Sequence, residues 1–256
     1  GVPTQTWELL NHPDRDSYDL SSLRTLGGGG GPRPAEHVKA LDKNFKGRPG
    51  IGYGLTETNA LGTMGAGDEY INNPSSAGRV VPPLTEIKII DENWQELPEG
   101  KIGEVAIRSQ SNMKGYWRND DATAECINPE GWFKSGDLGK FDGPFLYILD
   151  RLKDMVIRGG ENIACPEVEG AIYEHPDVLE ASVFGIPDER LGEILCSSIC
   201  LREGSKLSAE SLNEFLSDKL AAFKIPVKIK FTYNPLPKIA SGKFDKPTMR
   251  QNFIEE

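Results

Sequence analysis

The sequence predicts an α/β layer followed by an α+β domain, and three changes of grammar along its 256 residues carry that prediction. A strand-like run at 23–26 enters five glycines, Gly27 to Gly31, and then Pro32-Arg33-Pro34 and a helical spacing. Strand, glycine turn, helix is the order of an α/β layer. Between Gly78 and Asp150 short strand-like runs are separated by Asp-Glu-Asn, Pro-Glu-Gly and Asp-Gly-Pro turns. After Asp150, helical and strand-like runs mix in the manner of an α+β fold.

Taken in order, residues 35–45 place Val38, Leu41 and Phe45 on one helical face. Residues 86–90, 103–108 and 145–149 read as short strands of a small antiparallel sheet or barrel. Pro166 suits the first turn of a helix that buries Val168, Ala171 and Ile172 and stops before Pro176. Residues 178–184 and 193–201 read as buried strands. Residues 209–220 carry Leu212, Phe215, Leu216 and Leu220 on one stripe. Val227, Ile229 and Phe231 alternate with Lys228 and Lys230, as on a strand with one wet face. The charged run from Arg151 to Asp154 divides two self-consistent patterns, so domains of 1–150 and 151–256 are expected, joined at 151–154.

The bulk numbers exclude several function classes. A hydrophobic fraction of 38% with 27% charged residues is that of an ordinary globular chain. A net charge of -10 argues against nucleic-acid binding, which needs a basic face. No apolar run approaches the roughly 20 residues of a transmembrane helix. Cys126, Cys165, Cys196 and Cys200 form no C-x-x-C pair, and His12, His37 and His175 lie far apart. Neither a zinc site nor a disulfide framework is expected, and reduced thiols point to the cytoplasm. So few histidines also remove most Ser/His/Asp and Cys/His schemes. The opening Gly-Val-Pro-Thr, without an initiator methionine, is expected of a fragment or a processed chain.

Four segments place polar residues in tight glycine turns, where backbone can approach an anion. They are 27–32, Tyr53-Gly54-Leu55-Thr56-Glu57, Ser135-Gly136-Asp137 and Ser241-Gly242-Lys243. Each has a plain structural reading on its own. A glycine run is a flexible turn, a Tyr-Gly is a packed ring beside a turn, a Gly-Asp is a solvated turn, and Ser-Gly-Lys carries a surface lysine. The glycine run also lacks the Lys-Ser/Thr ending of a P-loop.

Their order is more specific than any one of them. Tyr53-Gly54-Leu55-Thr56-Glu57, Gly103-Glu104, Ser135-Gly136-Asp137, Asp150-Arg151-Leu152-Lys153-Asp154 with Gly159-Gly160-Glu161-Asn162-Ile163, Pro166-Glu167-Val168-Glu169, and Leu236-Pro237-Lys238 with Ser241-Gly242-Lys243 follow one another along the chain. In this the sequence resembles the adenylate-forming (AMP-binding) superfamily of acyl- and aryl-CoA synthetases, peptide-synthetase adenylation domains and beetle luciferases. The likeness runs from about Leu20 to the end. It implies the distal part of a large N-terminal domain, with a sheet edge and a small β-barrel, followed by a complete small α+β lid.

The resemblance also implies roles. Tyr53 matches the aromatic against adenine, and Gly30, Gly31 and Pro32 form the opposite wall. Thr56 matches the hydroxyl on the α-phosphate, and Glu57 the carboxylate supporting Mg²⁺. Asp137 matches the acid that holds the ribose hydroxyls, and Arg151 its basic neighbour. Lys153 sits at the hinge position, and Gly159, Gly160 and Glu161 lie in the loop lining the CoA tunnel. Lys243 matches the lysine between carboxylate and α-phosphate during adenylation. Attack of one anion on another needs such fixed positive charge, and a compact ammonium on a flexible stem supplies it.

The implied cofactors are ATP, Mg²⁺ and CoA, and the implied substrate is a carboxylic acid. A fatty acid is favoured because Pro82–Glu86, Gly115-Tyr116-Trp117 and the Arg-Gly-Gly-Glu-Asn-Ile loop look most like bacterial fatty acyl ligases. Three features depart from the family pattern. Ser135 stands where many relatives carry Thr. Ile157 stands where luciferase-like and plant aryl ligases carry Lys, which disfavours those subfamilies. The family's Ser/Thr/Gly-rich phosphate loop has no counterpart before the glycine run, so the chain alone is expected to be inactive. The alternatives are adenylation feeding a carrier protein and a non-catalytic nucleotide-binding fragment.

Overall fold

A computed structural model describes residues 1–254 and divides the chain into two compact units, Gly1–Leu152 and Lys153–Glu256. Glu255 and Glu256, the end of the second expected domain, lie outside the described residues.

The first unit opens with α1 (Pro3–Leu10), whose proline occupies the first turn, where no N–H is needed. Then come β1 (Thr25–Gly29), α2 (Ala35–Asn44), β2 (Arg48–Tyr53), β3 (Thr63–Ala66), α3 (Gly67–Asn72) and β4 (Arg79–Val80). They form a sheet of order β1-β2-β3-β4, parallel between β1 and β2 and antiparallel beyond. The α2 stripe holds. Leu41 and Phe45 pack with Leu10 and Leu26, and Val38 packs with Ile51 and Tyr70.

The first strand starts later than 23–26 and runs into the glycines: Gly28 pairs with Ile51 and Gly29 with Gly52. A Cβ at Gly29 would lie 2.6 Å from the Gly52 carbonyl oxygen. Bare backbone lets the two strands meet there, so the glycine run is strand first and turn second.

The middle of the chain supplies β5 (Thr85–Ile90), β6 (Gly103–Ser109), α4 (Asp120–Cys126), β7 (Phe133–Asp142) and β8 (Phe145–Arg151). The strands pair antiparallel in the order β5-β6-β7-β8, a sheet whose ends β5 and β8 do not pair with each other. Ile89, Val105, Ile107 and Leu146 form its core. Ser135-Gly136-Asp137, expected in a turn, lies inside β7. Between the Ala106–Lys134 and Glu104–Leu138 pairs the register shifts, so residues 135–137 lie opposite Val105 alone. Gly136 takes φ 71° in this bulge, a left-handed value that suits glycine.

The second unit contains β9 (Val156–Arg158), β10 (Glu161–Ile163), α5 (Cys165–Tyr173), β11 (Val178–Asp188), β12 (Gly192–Leu201), α6 (Ala209–Ser217), β13 (Lys228–Thr232) and α7 (Lys246–Ile254). β12 is central: β11 lies antiparallel on one side, while β13 (parallel) and β9 share the other. Val183, Leu195 and Ile199 join Val168, Ile172, Leu212 and Leu216 on one face. Phe184, Ile186, Ile194, Cys196 and Cys200 join Leu236, Met249 and Phe253 on the other. Burial on both faces explains why these two strands read as nearly continuous apolar runs. The expected wet face of residues 227–231 is kept at Lys228, which is exposed, and partly covered at Lys230, which donates to the Asn252 carbonyl at 2.5 Å and lies over the Phe253 ring, both on α7; Val227, ahead of the strand, is exposed. Among the described residues no helix is long and apolar enough to cross a membrane.

Candidate functional site

The parallel strands β1 and β2 end side by side, and the glycine turn and the Tyr53–Glu57 segment leave from those ends. Gly29 pairs with Gly52, so Gly30, Gly31 and Pro32 continue beyond one strand while Tyr53 ends the other. In α/β sheets the space beyond the carboxyl ends of parallel strands is where ligands are received. Gly54 makes the tight exit possible, since a Cβ there would lie 2.4 Å from the Ala60 carbonyl carbon.

Tyr53 reaches across to the second sheet. Its hydroxyl donates to Asp137 Oδ2 at 2.8 Å, and Arg151 Nε lies 3.3 Å from Asp137 Oδ1. Asp137 is only 5% exposed, whereas Arg151 is half-exposed. Burial, and then the Asp137 charge, push the Tyr53 phenol well above its ordinary range, so it remains a donor. The bulge aims Asp137. Gly136 N–H donates to Glu104 Oε1 at 2.9 Å, Leu152 N–H donates to the Gly136 carbonyl at 2.9 Å, and Asp137 N–H donates to Ser135 Oγ at 3.1 Å. Asp137 and Arg151 are also direct register partners on β7 and β8. A carboxylate offers about four acceptor positions.

Thr56, Glu57 and Thr58 form a single 3-10 turn. Thr58 is fully buried and staples the turn, its hydroxyl accepting from Leu55 N–H at 3.0 Å. Thr56 is exposed. Glu57 is held by the segment after β6: Met113 N–H donates to its carbonyl at 2.6 Å, and the Tyr116 hydroxyl donates to its Oε1 at 3.0 Å. Burial first, and the Glu57 bond second, push the Tyr116 phenol up to about 12. Tyr116 and Glu104 are site residues that sequence reasoning missed. Both lie in quoted motifs, but nothing in a linear pattern pairs them with Glu57 and Gly136.

In the second unit, Lys153 lies exposed in the turn that opens it. Gly159 and Gly160, at φ 60° and 87°, are the two-residue tip of the β9–β10 hairpin, in which Arg158 pairs with Glu161. Two successive left-handed residues are what a type I′ turn requires, so the segment is a hairpin tip with Glu161 exposed beside it. Lys243 lies on another hairpin. Ile239 N–H donates to the Lys243 carbonyl at 2.9 Å, Gly242 N–H donates to the Ile239 carbonyl at 2.8 Å, and Gly242 has φ 82°. This is a three-residue hairpin loop closed by a left-handed glycine, which gives Ser-Gly-Lys a local reason. The Lys243 side chain is exposed.

Comparison with known proteins shows the family. The profile described as "AMP-binding enzyme" matches residues 1–117, and that described as "AMP-binding enzyme C-terminal domain" matches 167–243. The chain belongs to the adenylate-forming, AMP-binding enzyme superfamily. It is 41% identical to a putative acyl-CoA synthetase, YngI, of Bacillus subtilis (strain 168), matching 100% of this chain and 47% of that protein. It is 37% identical to feruloyl-CoA synthase of an Amycolatopsis species, over 99% of this chain and 51% of that protein. The structure of amide bond synthetase McbA from Marinactinospora thermotolerans superimposes with a TM-score of 0.89 at 32% identity, covering 99% of this chain and 51% of that one. The chain therefore spans about half the length of the curated relatives it matches.

Proposed function

We propose that this chain is the distal half of an ATP-dependent acid–thiol ligase, an acyl-CoA synthetase. The observation that carries the reading is the Tyr53–Asp137–Arg151 group: a buried carboxylate, aimed by a bulge, beside an aromatic at the carboxyl ends of two parallel strands. A vicinal diol with a flat base attached suits this group, the diol donating to Asp137 and the base lying on Tyr53 between it and Gly30, Gly31 and Pro32. That ligand is a nucleoside.

In the first step a carboxylate oxygen of the acid bonds to the α-phosphorus of ATP and the bond to pyrophosphate breaks, giving acyl-AMP. In the second, the CoA sulfur bonds to the acyl carbon and AMP leaves. Thr56 is proposed to hold the α-phosphate, and Lys243 to offset the charge brought together in the first step. Mg²⁺ supplies neutralisation of the phosphate charge when bound with the nucleotide. Glu57 fits it, because Mg²⁺ sites at nucleotides commonly use one or two carboxylates plus phosphate oxygens. Glu57 Oε1 is oriented by Tyr116, and Oε2 takes no bond among the described residues. Lys153 is proposed as the hinge between the half-reactions, and Gly159, Gly160 and Glu161 as part of the CoA path. A fatty acid substrate, argued from motif likeness, and a cytoplasmic location complete the proposal.

Pyrophosphate exchange and thioester formation in the full-length protein test the reading. ATP-dependent exchange with fatty acids, followed by transfer to free CoA, is expected. Transfer only to a carrier-protein thiol would replace the ligase by a loading enzyme, and no exchange with any acid would overturn it. The half-length span also favours a second reading for the chain by itself, a non-catalytic nucleotide-binding piece. AMP binding without exchange by the isolated chain is its signature.

A further inference from the structure

The hairpin carrying Lys243 is pinned at both ends by carboxylates of the sheet-and-helix layer beneath it. Ahead of the tip, Glu180 on β11, only 6% exposed, accepts Leu236 N–H at Oε2 over 2.7 Å and pairs with Lys238 Nζ through Oε1 at 2.8 Å. Behind the tip, Glu169 on α5 pairs with Lys246 Nζ at 3.0 Å, and the same oxygen accepts Val183 N–H from β11 at 2.9 Å. Between the pins the backbone closes on itself, Asp245 N–H donating to the Pro237 carbonyl at 2.9 Å beside the Lys238–Phe244 bridge.

The Asp245 carboxylate then starts α7 by accepting Thr248 N–H and its hydroxyl. A buried carboxylate carries a desolvation cost that only well-placed donors offset. Here every donor assigned to Glu180 comes from the residues leading into the hairpin. Strand alternation puts Glu180 on the same face of β11 as Phe184 and Ile186, the face that meets Leu236.

We propose that Glu180 and Glu169 are positioning residues for Lys243: a two-point clamp that fixes the hairpin so that a long, exposed side chain starts from a defined backbone. This rests on the reading of Lys243 as the lysine of the adenylation step. Neither carboxylate touches substrate.

The test uses the full-length enzyme with Glu180→Gln and Glu169→Gln, each keeping shape and losing charge. Loss of placement is expected to slow adenylation by about 10- to 100-fold, the range for displacing a catalytic group by up to about 1 Å. The KM for ATP and the thioester step from preformed acyl-adenylate should stay within about twofold. Amide hydrogen exchange at Ile239 and Gly242 should accelerate. Equal loss in both half-reactions, or unchanged adenylation, overturns the clamp.

A Glu180→Met/Lys238→Met pair guards against simple unfolding, since an apolar pair commonly replaces a buried ion pair without loss of stability. Its cooperative unfolding should be kept, with the midpoint lowered only by the cost of the orphaned Leu236 N–H, while adenylation remains slow because that amide has lost its acceptor. Wild-type adenylation in that pair overturns the proposal. Lys243→Ala separates the two ideas. If it leaves adenylation intact, the reading of Lys243 fails. If it abolishes adenylation while both Gln variants are normal, only the clamp fails.

Discussion

Asp137→Ala is the perturbation with the most specific expected result, because the same side chain serves structure and ligand. Truncation leaves the partly buried Tyr53 hydroxyl without its carboxylate acceptor, with the Ser135 side chain as its remaining neighbour. An unsatisfied buried donor costs about 1–3 kcal/mol. Arg151, half-exposed, turns to water, so its lost pair at 3.3 Å adds little. The unfolding free energy of the first unit should therefore fall by about 1–3 kcal/mol. Nucleotide binding should weaken separately, because the ribose diol loses a charged acceptor worth about 1.5–3 kcal/mol, or roughly 10- to 150-fold in affinity.

A second variant divides the two effects. Adding Tyr53→Phe removes the orphaned hydroxyl, so stability should recover in the double variant while AMP affinity does not. Calorimetric AMP titration and denaturant unfolding of the three proteins measure both quantities. AMP binding unchanged in Asp137→Ala would refute the ribose role, and recovery of binding with stability in the double variant would show that the loss was structural.

Lys243→Ala in the full-length protein should slow adenylation by about 10²–10³ and spare thioester formation from preformed acyl-adenylate; equal loss in both steps counts against it. Lys153→Pro, which fixes φ near about −65°, should affect the two half-reactions very unequally, whereas parallel loss would point to misfolding. Tyr116 is held protonated in the fold, its pKa raised from 10.0 to about 12. Its contribution to stability is thus present below pH 10 and lost as pH rises through about 12, and Tyr116→Phe should remove that alkaline dependence from the unfolding midpoint. Of the four free thiols, Cys165, Cys196 and Cys200 are buried and Cys126 is not. One thiol should react with a chromogenic disulfide reagent in the native chain, more slowly than a free thiol because burial raises the Cys126 pKa, and Cys126→Ser should abolish that phase.

The parts legible in sequence were those where one local rule decides the outcome. The α2 stripe of Val38, Leu41 and Phe45 and the α6 stripe of Leu212 and Leu216 follow helical periodicity, and both pack as that period requires. Residues 178–184 and 193–201 read as strands because both faces are covered, although β11 continues to Asp188.

β7 was hidden because its partners decide its conformation. Its polar run Lys134-Ser135-Gly136-Asp137 looks like a turn until Glu104 satisfies the Gly136 amide and β6 and β8 flank it. The glycine run misled for a related reason, since only the facing glycine at 52 makes a strand of residues 27–29. In the candidate site the motif residues could be named in advance, but their partners could not. Tyr116 lies 59 residues from Glu57, and Leu236 lies 56 from Glu180. Pairings over such separations belong to the folded topology.

The two-sided burial of β11 and β12 has a consequence for how faithfully the second unit must assemble. Sliding one strand by a single residue would exchange the layer facing α5 and α6 with the layer facing α7, putting Phe184 where Val183 belongs and Cys196 where Leu195 belongs. Neither layer could absorb the wrong volumes, so no neighbouring alignment offers a tolerable compromise. The connection between the strands guards against such a slip. Asp188 accepts the amides of Arg190 and Leu191 at 3.0 and 2.8 Å, and Gly192 follows at φ 79°. That turn sets the count before the long strands zip. Inserting one residue between Asp188 and Gly192 should therefore damage assembly of this unit far more than the same insertion at the exposed Gly204 turn, where no atom crowds the backbone.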